Sequence, residues 1–552
     1  MILPKIPLAQ SIIQICLAKG LRDIVICPGS RNAPLTIGFT GNPEFTCYSI
    51  ADERCAAFFA MGIAQQKKKP VAVVCTSGSA VLNFYPAVAE AFYSQIPLVV
   101  ISADRPPEKI DIGDGQTIRQ QNVLENHTLY NANLTPNASP ENDLRINEAI
   151  NASFLKSGPV HINAPFEEPL YETTRERLVD PAIKPVQKNR KKLAPEDVMN
   201  LSNTWNKAKR KLILIGVNAP QTISAEVIAK LAEDPSLVVM TETTSNINHP
   251  QFIGNIDRII TPMSDADFEK IKPEILVTLG GMVVSKRVKK FLRTFGPQQH
   301  WHIDPLRAYD TYGCLTSHFK VEPADFFGQL LPFVNPVASN YQKEVVRIKE
   351  LRQAKHNQFV SKAPFSDFTV FDRILRSLPT DLHLHVGNSA PIRYAQLFDI
   401  DQSIELFSNR GTSGIDGSTS TAIGSAVGSK KPTMIITGDI SFFYDSNALW
   451  NSYIPKDFKI IIINNGGGGI FRILPGHKEN DVFNTYFETS HAMTAEHLAR
   501  MYQFDYFSAA DIASLDEKLP EFFKHNESPA ILEIFTPTKI NDTVLSEYFQ
   551  QL

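Results

Sequence analysis

Short apolar runs alternate along the chain with longer segments in which apolar residues recur at helical spacing. In the first third these are the runs 23–30, 70–79 and 97–106 and the helix-like segments 53–66 and 80–94. Runs that are apolar throughout predict strands buried on both faces, and their alternation with helices predicts a doubly wound parallel sheet. Ligands bind beyond the carboxyl ends of such strands, so we expect the functional site in the loops that follow the runs.

The same pattern recurs twice more, with breaks between the sets. The second set contains the runs 211–220, 237–245, 274–285 and 300–305, and the third contains 382–389, 404–411, 432–440, 459–467 and 530–537. The first break, residues 171–198, contains prolines and the cations Lys188, Arg190, Lys191 and Lys192, which we interpret as a solvated linker and not as a nucleic-acid patch. The second break is a charged helix-like segment, 340–358. The prediction is an α/β protein of three doubly wound parallel-sheet domains, at residues 1–180, 195–335 and 365–552.

Composition narrows the possible partners and location. The 552 residues are 43% hydrophobic and 20% charged, and 55 Lys and Arg against 58 Asp and Glu give a net charge of −3. No nucleic-acid-binding surface is therefore expected. The longest apolar runs are far shorter than the roughly 20 residues that cross a bilayer, so no membrane span is expected. Six cysteines without a CxxC pair predict buried thiols in a reducing compartment, and with no charged leader at the start we expect a cytoplasmic protein.

The segment 438–471 carries the most informative chemistry. Asp439 follows one predicted strand, and Asn464 and Asn465 follow the next, so a carboxylate and an amide oxygen are expected on neighbouring loops at one sheet edge. Oxygen ligands of this kind suit Mg²⁺, which is usually held by one or two side chains plus phosphate oxygens. The glycine run 466–469, beginning 27 residues after Asp439, allows the backbone to approach a diphosphate closely.

This segment resembles the metal and diphosphate motif of thiamine-diphosphate-dependent enzymes. The resemblance implies thiamine diphosphate and Mg²⁺ or Mn²⁺ as cofactors, with the side chains of Asp439 and Asn465 and the carbonyl of Gly467 as metal ligands. It implies a pyrimidine-binding first domain, a central domain and a diphosphate-binding third domain. Ile440 departs from the motif, since many members have glycine there. The cofactor contacts implied in this segment are Gly438, Asp439, Ile440, Asn465, Gly467, Gly468 and Ile470.

Such an enzyme also needs a carboxyl group at the start of a helix in its pyrimidine-binding domain, where it activates the aminopyrimidine ring. Glu53 fits this position, because a strand-like segment precedes it and a helical pattern follows. The alternative is that Glu53 only favours the positive end of its helix.

Several further loops resemble, as an ordered set, one family within this group, the 2-succinyl-5-enolpyruvyl-6-hydroxy-3-cyclohexene-1-carboxylate synthases of menaquinone biosynthesis. The loops are residues 27–35, 102–108, 115–120, 284–287, 387–393 and 409–424. The family implies a transferase that decarboxylates 2-oxoglutarate and adds the remaining succinyl carbanion equivalent to isochorismate. Both substrates are dicarboxylates, and arginine binds carboxylates with two hydrogen bonds. The matching cations are Arg31, Arg105, Lys286, Arg287, Arg393 and Arg410, although for any one of them taken alone a surface salt bridge is the better interpretation.

The resemblance implies roles for neutral residues too. Ser30, Ser389 and Phe471 match substrate positions, and Gln116, with Glu53, Arg393 and Arg410, matches a catalytic one. Cofactor contacts are further implied for Gly78, Gln116, Ser413 and Ile415. For Ile415, Ile470 and Phe471 the alternative is core packing. Gly115 is a second departure, where some relatives carry an amide.

In this group of enzymes the pyrimidine and diphosphate domains that share a cofactor come from different subunits, so the resemblance implies a homodimer or homotetramer with interfacial active sites. Two other functions remain open from the residues. One is an acetohydroxyacid-synthase-like carboligase or decarboxylase with a flavin on its central domain, and the other is a non-catalytic cofactor-binding protein.

Overall fold

Three parallel sheets organise the chain in the computed structural model, which describes residues 2–187, 191–473, 476 and 478–552. Helices cover the faces of each sheet, and each sheet is buried along its central strands. The predicted class of three doubly wound α/β units is confirmed. The linker residues Lys188 and Arg190 lie outside the described residues.

The first sheet has the strand order β3-β2-β4-β5-β7-β6, and its strands are parallel. A separate antiparallel pair joins β1 to β8. The strands are β1 (Leu3–Pro4), β2 (Asp23–Ile26), β3 (Thr46–Ser49), β4 (Val71–Cys75), β5 (Leu98–Asp104), β6 (Asn131–Asn133), β7 (Pro159–Pro165) and β8 (Thr173–Thr174). The helices are α1 (Pro7–Ala18), α2 (Ala33–Thr40), α3 (Glu53–Lys67), α4 (Ala80–Asn83), α5 (Tyr85–Ser94) and α6 (Pro140–Lys156).

The central sheet is a parallel sheet of order β10-β9-β11-β12-β13. Its strands are β9 (Lys211–Ile215), β10 (Leu237–Thr241), β11 (Ile275–Leu279), β12 (Gln299–Ile303) and β13 (Ser317–Phe319). Its helices are α7 (Pro195–Trp205), α8 (Ala225–Ala232), α9 (Ile256–Ile260), α10 (Asp265–Ile271), α11 (Lys286–Thr294) and α12 (Pro323–Leu330), and α13 (Tyr341–Val360) leads to the third domain.

The third sheet is parallel with the order β15-β14-β16-β17-β19-β18. Its strands are β14 (His383–Val386), β15 (Glu405–Phe407), β16 (Thr433–Gly438), β17 (Lys459–Asn464), β18 (Asp505–Ala509) and β19 (Ala530–Phe535). Its helices are α14 (Asp367–Ser377), α15 (Ala390–Ala395), α16 (Ser418–Ser429), α17 (Asp439–Tyr444), α18 (Glu496–Met501), α19 (Ile512–Lys524) and α20 (Asn541–Gln551).

The first and third sheets share one topology. If the six strands of each are counted in chain order, both sheets read 2-1-3-4-6-5. The direction of winding reverses between the first and third of these strands, and in open parallel sheets ligands bind at that reversal. The loops after β2 and β4, and those after β14 and β16, are therefore the expected binding edges.

The first and third domains pack together through α3 and α16, and one hydrophobic core includes residues of both. Gly62 and Gly424 allow this close contact. A Cβ at Gly62 would lie 2.2 Å from the carbonyl oxygen of Thr421, and one at Gly424 would lie 2.0 Å from that of Phe59. Larger residues at either glycine would separate the two helices.

Two details of the sequence interpretation are wrong. The helix-like segment 80–94 forms two helices, α4 and α5, because Pro86 cannot continue a helix from the preceding turn. All six cysteines are free thiols, but Cys47 and Cys314 are partly exposed while the other four are buried.

Candidate functional site

The predicted residues of the first domain lie along the carboxyl edge of its sheet. Ser30 and Arg31 follow β2, Gly78 follows β4, and Arg105 follows β5. Glu53 follows β3 and opens α3. With Gln116 they form what we call the pyrimidine-side group.

Glu53 is the first residue of α3, as the sequence predicted. The helix is capped by Asp52, whose side chain accepts a hydrogen bond from the backbone N–H of Cys55 at 3.2 Å. Burial raises the pKa of the Glu53 carboxyl above its ordinary value, and the neighbouring charge of Asp52 adds to the shift. A carboxyl group that holds its proton more readily than usual is suited to donating a hydrogen bond or a proton to a bound ring nitrogen.

Arg31 and Arg105 have acidic neighbours. Nη2 of Arg31 lies 3.2 Å from Oε1 of Glu168, and Nη1 of Arg105 lies 4.0 Å from the same oxygen. Arg105 also lies 3.6 Å from Asp114 and donates to the carbonyl of Gly115 at 3.1 Å. A Cβ at Gly115 would meet nothing within 4 Å, so the position has space for the side chain that some relatives carry.

Gly78 and Gln116 lie against each other. The backbone φ angle of Gly78 is +88°, and a Cβ there would lie 3.3 Å from the carbonyl oxygen of Gln116. Gln116 itself has a φ of 54°, and Ser389 and Ser413 have φ angles of 73° and 62°. Non-glycine residues in this left-handed region are uncommon, and they are concentrated at functional sites.

In the third domain, Asp439 and the glycine run meet at the carboxyl edge between β16 and β17. Oδ2 of Asp439 accepts a hydrogen bond from the backbone N–H of Gly467 at 3.0 Å, and its Oδ1 accepts one from Ile440 at 2.7 Å. Gly467 has a φ of +154°, and a Cβ there would lie 2.7 Å from the carbonyl oxygen of Glu488. The loop therefore requires glycine at this position.

Asn465 has its side chain oriented by a residue that the sequence interpretation missed. Its Nδ2 donates to Oδ2 of Asp367 at 3.0 Å, and Oδ1 of Asp367 accepts from the hydroxyl of Thr536 at 2.6 Å. Oδ1 of Asn465 is buried and has no hydrogen-bond partner. A buried acceptor without a donor is costly, and this one is free for a cation. Asp367 opens α14, and nothing in its local sequence marks it.

Among the described residues there is no cluster of three or more His, Cys, Asp or Glu side chains that could hold a metal. This finding does not test the predicted metal ligands, because they are one carboxylate, one amide and one backbone carbonyl. One carboxylate with an orphaned amide oxygen fits a hard divalent cation that also binds phosphate oxygens. His491 lies beside the same place, with Nε2 at 3.3 Å from Oδ2 of Asp439, and this contact raises the pKa of the imidazole.

Residues 409–415 form a loop held from two sides. Nδ2 of Asn388 donates to the carbonyls of Asn409 and Gly414, both at 2.7 Å, and Oδ1 of Asn388 accepts from Nη1 of Arg410 at 2.7 Å. From the first domain, the fully buried Glu90 of α5 accepts from the backbone N–H groups of Gly411 and Thr412, both at 2.6 Å. Glu90 also went unpredicted, since no local pattern relates it to a loop 321 residues away.

The three apolar candidates are not part of the buried core. Ile415 lies in the loop just described, and Ile470 and Phe471 lie in a 3₁₀ turn, Gly469–Ile473. All three side chains are partly exposed. Their partial exposure argues against the alternative of core packing.

Four of the predicted cations, Lys286, Arg287, Arg393 and Arg410, lie near the third domain's site. In the described part of the chain none of them has a carboxylate at ion-pairing distance. Burial lowers the pKa of Arg393 and of Arg410. Lys289, three residues after Lys286 on α11, is a fifth cation of this kind, and burial, with a contribution from the charge of Arg410, lowers its pKa. We call the diphosphate-side group these five cations together with the predicted site residues of the third domain, Ser389, Ser413, Ile415, Gly438, Asp439, Ile440, Asn465, Gly467, Gly468, Ile470 and Phe471.

No direct bond joins the two groups within the described part of one chain. In the ranges that the structure describes, no hydrogen bond or ion pair joins Glu53, Arg31, Arg105 or Gln116 to any residue of the diphosphate-side group. Other hydrogen bonds do join the two domains. Beside Glu53, Arg54 donates to the carbonyl of Tyr444 at 2.7 Å and Asn447 donates to Asp52 at 2.8 Å, and Glu90 accepts from the 409–415 loop. A site that used both groups would therefore need contacts other than those within one chain.

Across the described ranges, the helices are all too short or too polar to span a membrane.

Comparison with known families divides the chain in three. Residues 6–128 match the family described as thiamine pyrophosphate enzyme, N-terminal TPP binding domain, and residues 185–386 match the middle domain of thiamine pyrophosphate enzymes. Residues 386–534 match the C-terminal TPP binding domain. Thiamine pyrophosphate is thiamine diphosphate, so the cofactor expected from the sequence is confirmed.

Three proteins similar to this chain carry the same name. A 2-succinyl-5-enolpyruvyl-6-hydroxy-3-cyclohexene-1-carboxylate synthase of Flavobacterium johnsoniae is 64% identical over 553 residues, covering 100% of each chain. A synthase of the same name from Flavobacterium psychrophilum is 64% identical over 552 residues, again covering 100% of each chain. One from Christiangramia forsetii is 50% identical, covering 99% of this chain and 98% of the relative. The chain therefore belongs to the 2-succinyl-5-enolpyruvyl-6-hydroxy-3-cyclohexene-1-carboxylate synthase family of thiamine-diphosphate-dependent transferases.

Proposed function

We propose that this protein joins 2-oxoglutarate to isochorismate with loss of CO₂. The C1–C2 bond of 2-oxoglutarate breaks and CO₂ leaves. The remaining succinyl unit forms a carbon–carbon bond to isochorismate by conjugate addition, in which the double bond conjugated with the ring carboxylate is lost and the carbon beside that carboxylate takes up a proton. Thiamine diphosphate, when bound, would supply the electron sink for this decarboxylation.

One observation carries the choice of substrates. Arg393 and Arg410 are partly buried and close enough for their charges to interact, and Lys286 and Arg287 are exposed at the start of α11. Within the described residues no acidic side chain lies at ion-pairing distance from any of the four. Unpaired cations in a partly buried place attract anions, and guanidinium groups bind carboxylates with two hydrogen bonds. Two dicarboxylates supply four carboxylates to such a place.

The diphosphate-side residues suit a metal and a diphosphate. Asp439, Asn465 and the carbonyl of Gly467 would hold Mg²⁺ or Mn²⁺, with Asp367 fixing the amide of Asn465 so that its oxygen faces the ion. Gly438, Ile440, Gly467, Gly468 and Ile470 would contact the diphosphate, and Ser413 and Ile415 would contact the rest of the cofactor. A carboxylate and an amide oxygen are ligands that Mg²⁺ accepts, which supports this assignment.

The pyrimidine-side residues would activate the pyrimidine ring of the cofactor and orient the substrates. Glu53 would hold and move a proton at the pyrimidine ring, and its raised pKa suits that role. Gly78 and Gln116 would contact the ring. Ser30, Arg31 and Arg105, with Ser389 and Phe471 from the third domain, would bind substrate.

Within one chain no hydrogen bond or ion pair among the described residues joins the two groups, which supports a shared site. We infer that the protein is a homodimer or homotetramer in which the pyrimidine-side group of one subunit faces the diphosphate-side group of another. We retain residues 1–180, 195–335 and 365–552 as the domains, and a cytoplasmic location, as proposals.

The reaction is tested by incubating the protein with 2-oxoglutarate, isochorismate, thiamine diphosphate and Mg²⁺. We expect CO₂ release coupled one to one with loss of isochorismate, and no reaction when thiamine diphosphate is omitted. The proposal is wrong if neither substrate is consumed, or if CO₂ appears at the same rate without isochorismate loss.

A further inference from the structure

The segment that follows β10 lies between the central and third domains. Nδ2 of Asn246 donates to the carbonyl of Leu406 at 2.9 Å, and Oδ1 of Asn246 accepts from the N–H of Leu406 at 2.7 Å. The N–H of Thr243 donates to Oε1 of Gln396 at 3.4 Å. Residues 242–246 therefore connect the central sheet to the strand and helix that flank Arg393 and Arg410.

Glu242 opens this segment and is 3% exposed. Its Oε2 accepts a hydrogen bond from the N–H of Val284 at 2.7 Å, and its Oε1 accepts one from the N–H of Ser285 at 2.8 Å. Two successive backbone N–H groups thus share one carboxylate. Hydrogen bonds to an ionised acceptor are stronger than neutral ones, and a bond pair fixes orientation as well as distance.

The residues held in this way begin α11. Ser285 is its N-cap, and its hydroxyl oxygen accepts from the N–H of Val288 at 3.1 Å and donates to Asp257. The next residues are Lys286 and Arg287, and Lys289 follows on the same turn. The position of Glu242 therefore sets where the first turn of α11 lies.

The charges around Glu242 come from three elements. Lys289 lies on α11, Asp257 on α9, and Arg410 in the loop after β15. Each is close enough for its charge to interact with that of Glu242. Burial raises the pKa of Glu242 to about 7. A carboxylate kept in so unfavourable a place, with both oxygens bonded to one turn, indicates a specific structural task.

We propose that Glu242 is a positioning residue for substrate, which fixes the first turn of α11 so that Lys286, Arg287 and Lys289 stand beside Arg410 and bind a dicarboxylate. The inference rests on the proposed function for the identity of that dicarboxylate. It assigns Lys289 to the substrate cations, and it gives the central domain a part in substrate affinity and none in cofactor binding.

Asp234 offers a matched control at the opposite end of β10. It is also a buried carboxylate of the central domain, it accepts from the N–H and the hydroxyl of Ser236 at 3.0 and 2.6 Å, and it pairs with Lys211 at 2.8 Å. Asp234→Asn therefore weakens a comparable set of bonds in the same domain, away from α11.

The test compares Glu242→Gln, Glu242→Asp and Asp234→Asn with the wild-type holoenzyme. Steady-state kinetics give kcat and a KM for each of the two substrates, and hydrogen exchange follows the backbone N–H groups of residues 284 and 285. For both Glu242 variants we expect KM for at least one substrate to rise about 10-fold or more, with kcat and thiamine diphosphate affinity within about 3-fold of wild type. Exchange at residues 284 and 285 should become faster in the same two variants. Asp234→Asn should change none of these quantities.

Glu242→Asp separates position from charge, because it keeps the charge and withdraws the carboxylate by about 1.5 Å. The proposal is overturned if Glu242→Asp has wild-type KM values, if Glu242→Gln lowers kcat alone, or if Asp234→Asn raises KM equally. Should the wild-type protein turn over neither substrate, the proposed function would fail, and the exchange of residues 284 and 285 would still decide whether Glu242 fixes the turn.

Discussion

The cations of the two groups differ in their acidic neighbours. On the pyrimidine side, Arg31 and Arg105 lie 3.2 and 4.0 Å from one oxygen of Glu168. On the diphosphate side, in the described part of the chain, no carboxylate lies within ion-pairing distance of the cations, and Asp257 and Glu242 act on Arg393 and Arg410 only from farther away. A substrate carboxylate would have to compete with Glu168 at the first place, whereas it would meet unpaired charge at the second. We infer that the diphosphate side supplies most of the affinity for dicarboxylates and the pyrimidine side supplies the proton chemistry.

The largest effect expected is on the proton chemistry of the pyrimidine side. Glu53→Gln keeps the shape of the side chain and removes its proton transfer, so kcat should fall by about 10²- to 10⁴-fold. Calorimetry should show that the variant still binds thiamine diphosphate and Mg²⁺, since the proposed metal ligands and diphosphate contacts lie in the third domain and are unchanged. Near-wild-type turnover by this variant would remove Glu53 from its proposed role.

Next is a pair of substitutions that compares the two kinds of cation. Arg410→Gln removes an unpaired guanidinium, and lost hydrogen bonds to charged groups cost about 1.5–3 kcal/mol, so kcat/KM should fall about 10- to 100-fold. Arg105→Gln removes a cation that already has acidic neighbours, and its loss should be smaller. Kinetics of the two variants side by side measure the difference, and a larger loss for Arg105→Gln would reverse the comparison.

A third substitution tests whether the metal site is arranged before metal binds. Asp367→Asn weakens the acceptor that orients Asn465, and loss of such an outer partner typically lowers metal affinity about 10- to 100-fold. Titration of Mg²⁺ into the protein with thiamine diphosphate measures this affinity. Asp372→Asn on the same helix, α14, is the control, because Asp372 pairs with Arg376 at 2.6 Å and does not contact Asn465. Equal Mg²⁺ affinity in both variants would argue against the role of Asp367.

The smallest effect expected is a gain. Glu168→Gln removes the competing carboxylate beside Arg31 and Arg105, and because Glu168 is largely exposed, KM for a dicarboxylate should fall only about 2- to 3-fold. Steady-state kinetics at low salt would show it. A rise in KM would mean that Glu168 holds the arginines in place and does not compete with substrate.

The carboxyl ends of the strands and the loops that follow them were predicted well from the sequence, because both are local features. Asp439 and Asn465 lie after strands whose apolar runs are visible in the sequence, and Glu53 opens a helix whose pattern is visible there. The partners of these residues were not predictable in this way. Asp367 lies 98 residues before Asn465, and Glu90 lies 321 residues before Gly411, so only the tertiary fold brings each pair together. The short edge strands β6, β13 and β18 were missed because they carry no clear apolar run. The division between α4 and α5 could have been predicted from Pro86.

The central claim is that the two groups form one site across two subunits. Glu53→Gln and Asp439→Asn chains, each carrying a different affinity tag, are co-expressed, purified through both tags and assayed. A mixed dimer has both substitutions in one of its shared sites and none in the other, so activity should return to about half that of the wild-type dimer. Activity no higher than that of either variant alone would contradict the claim, because it would mean that each chain completes its own site.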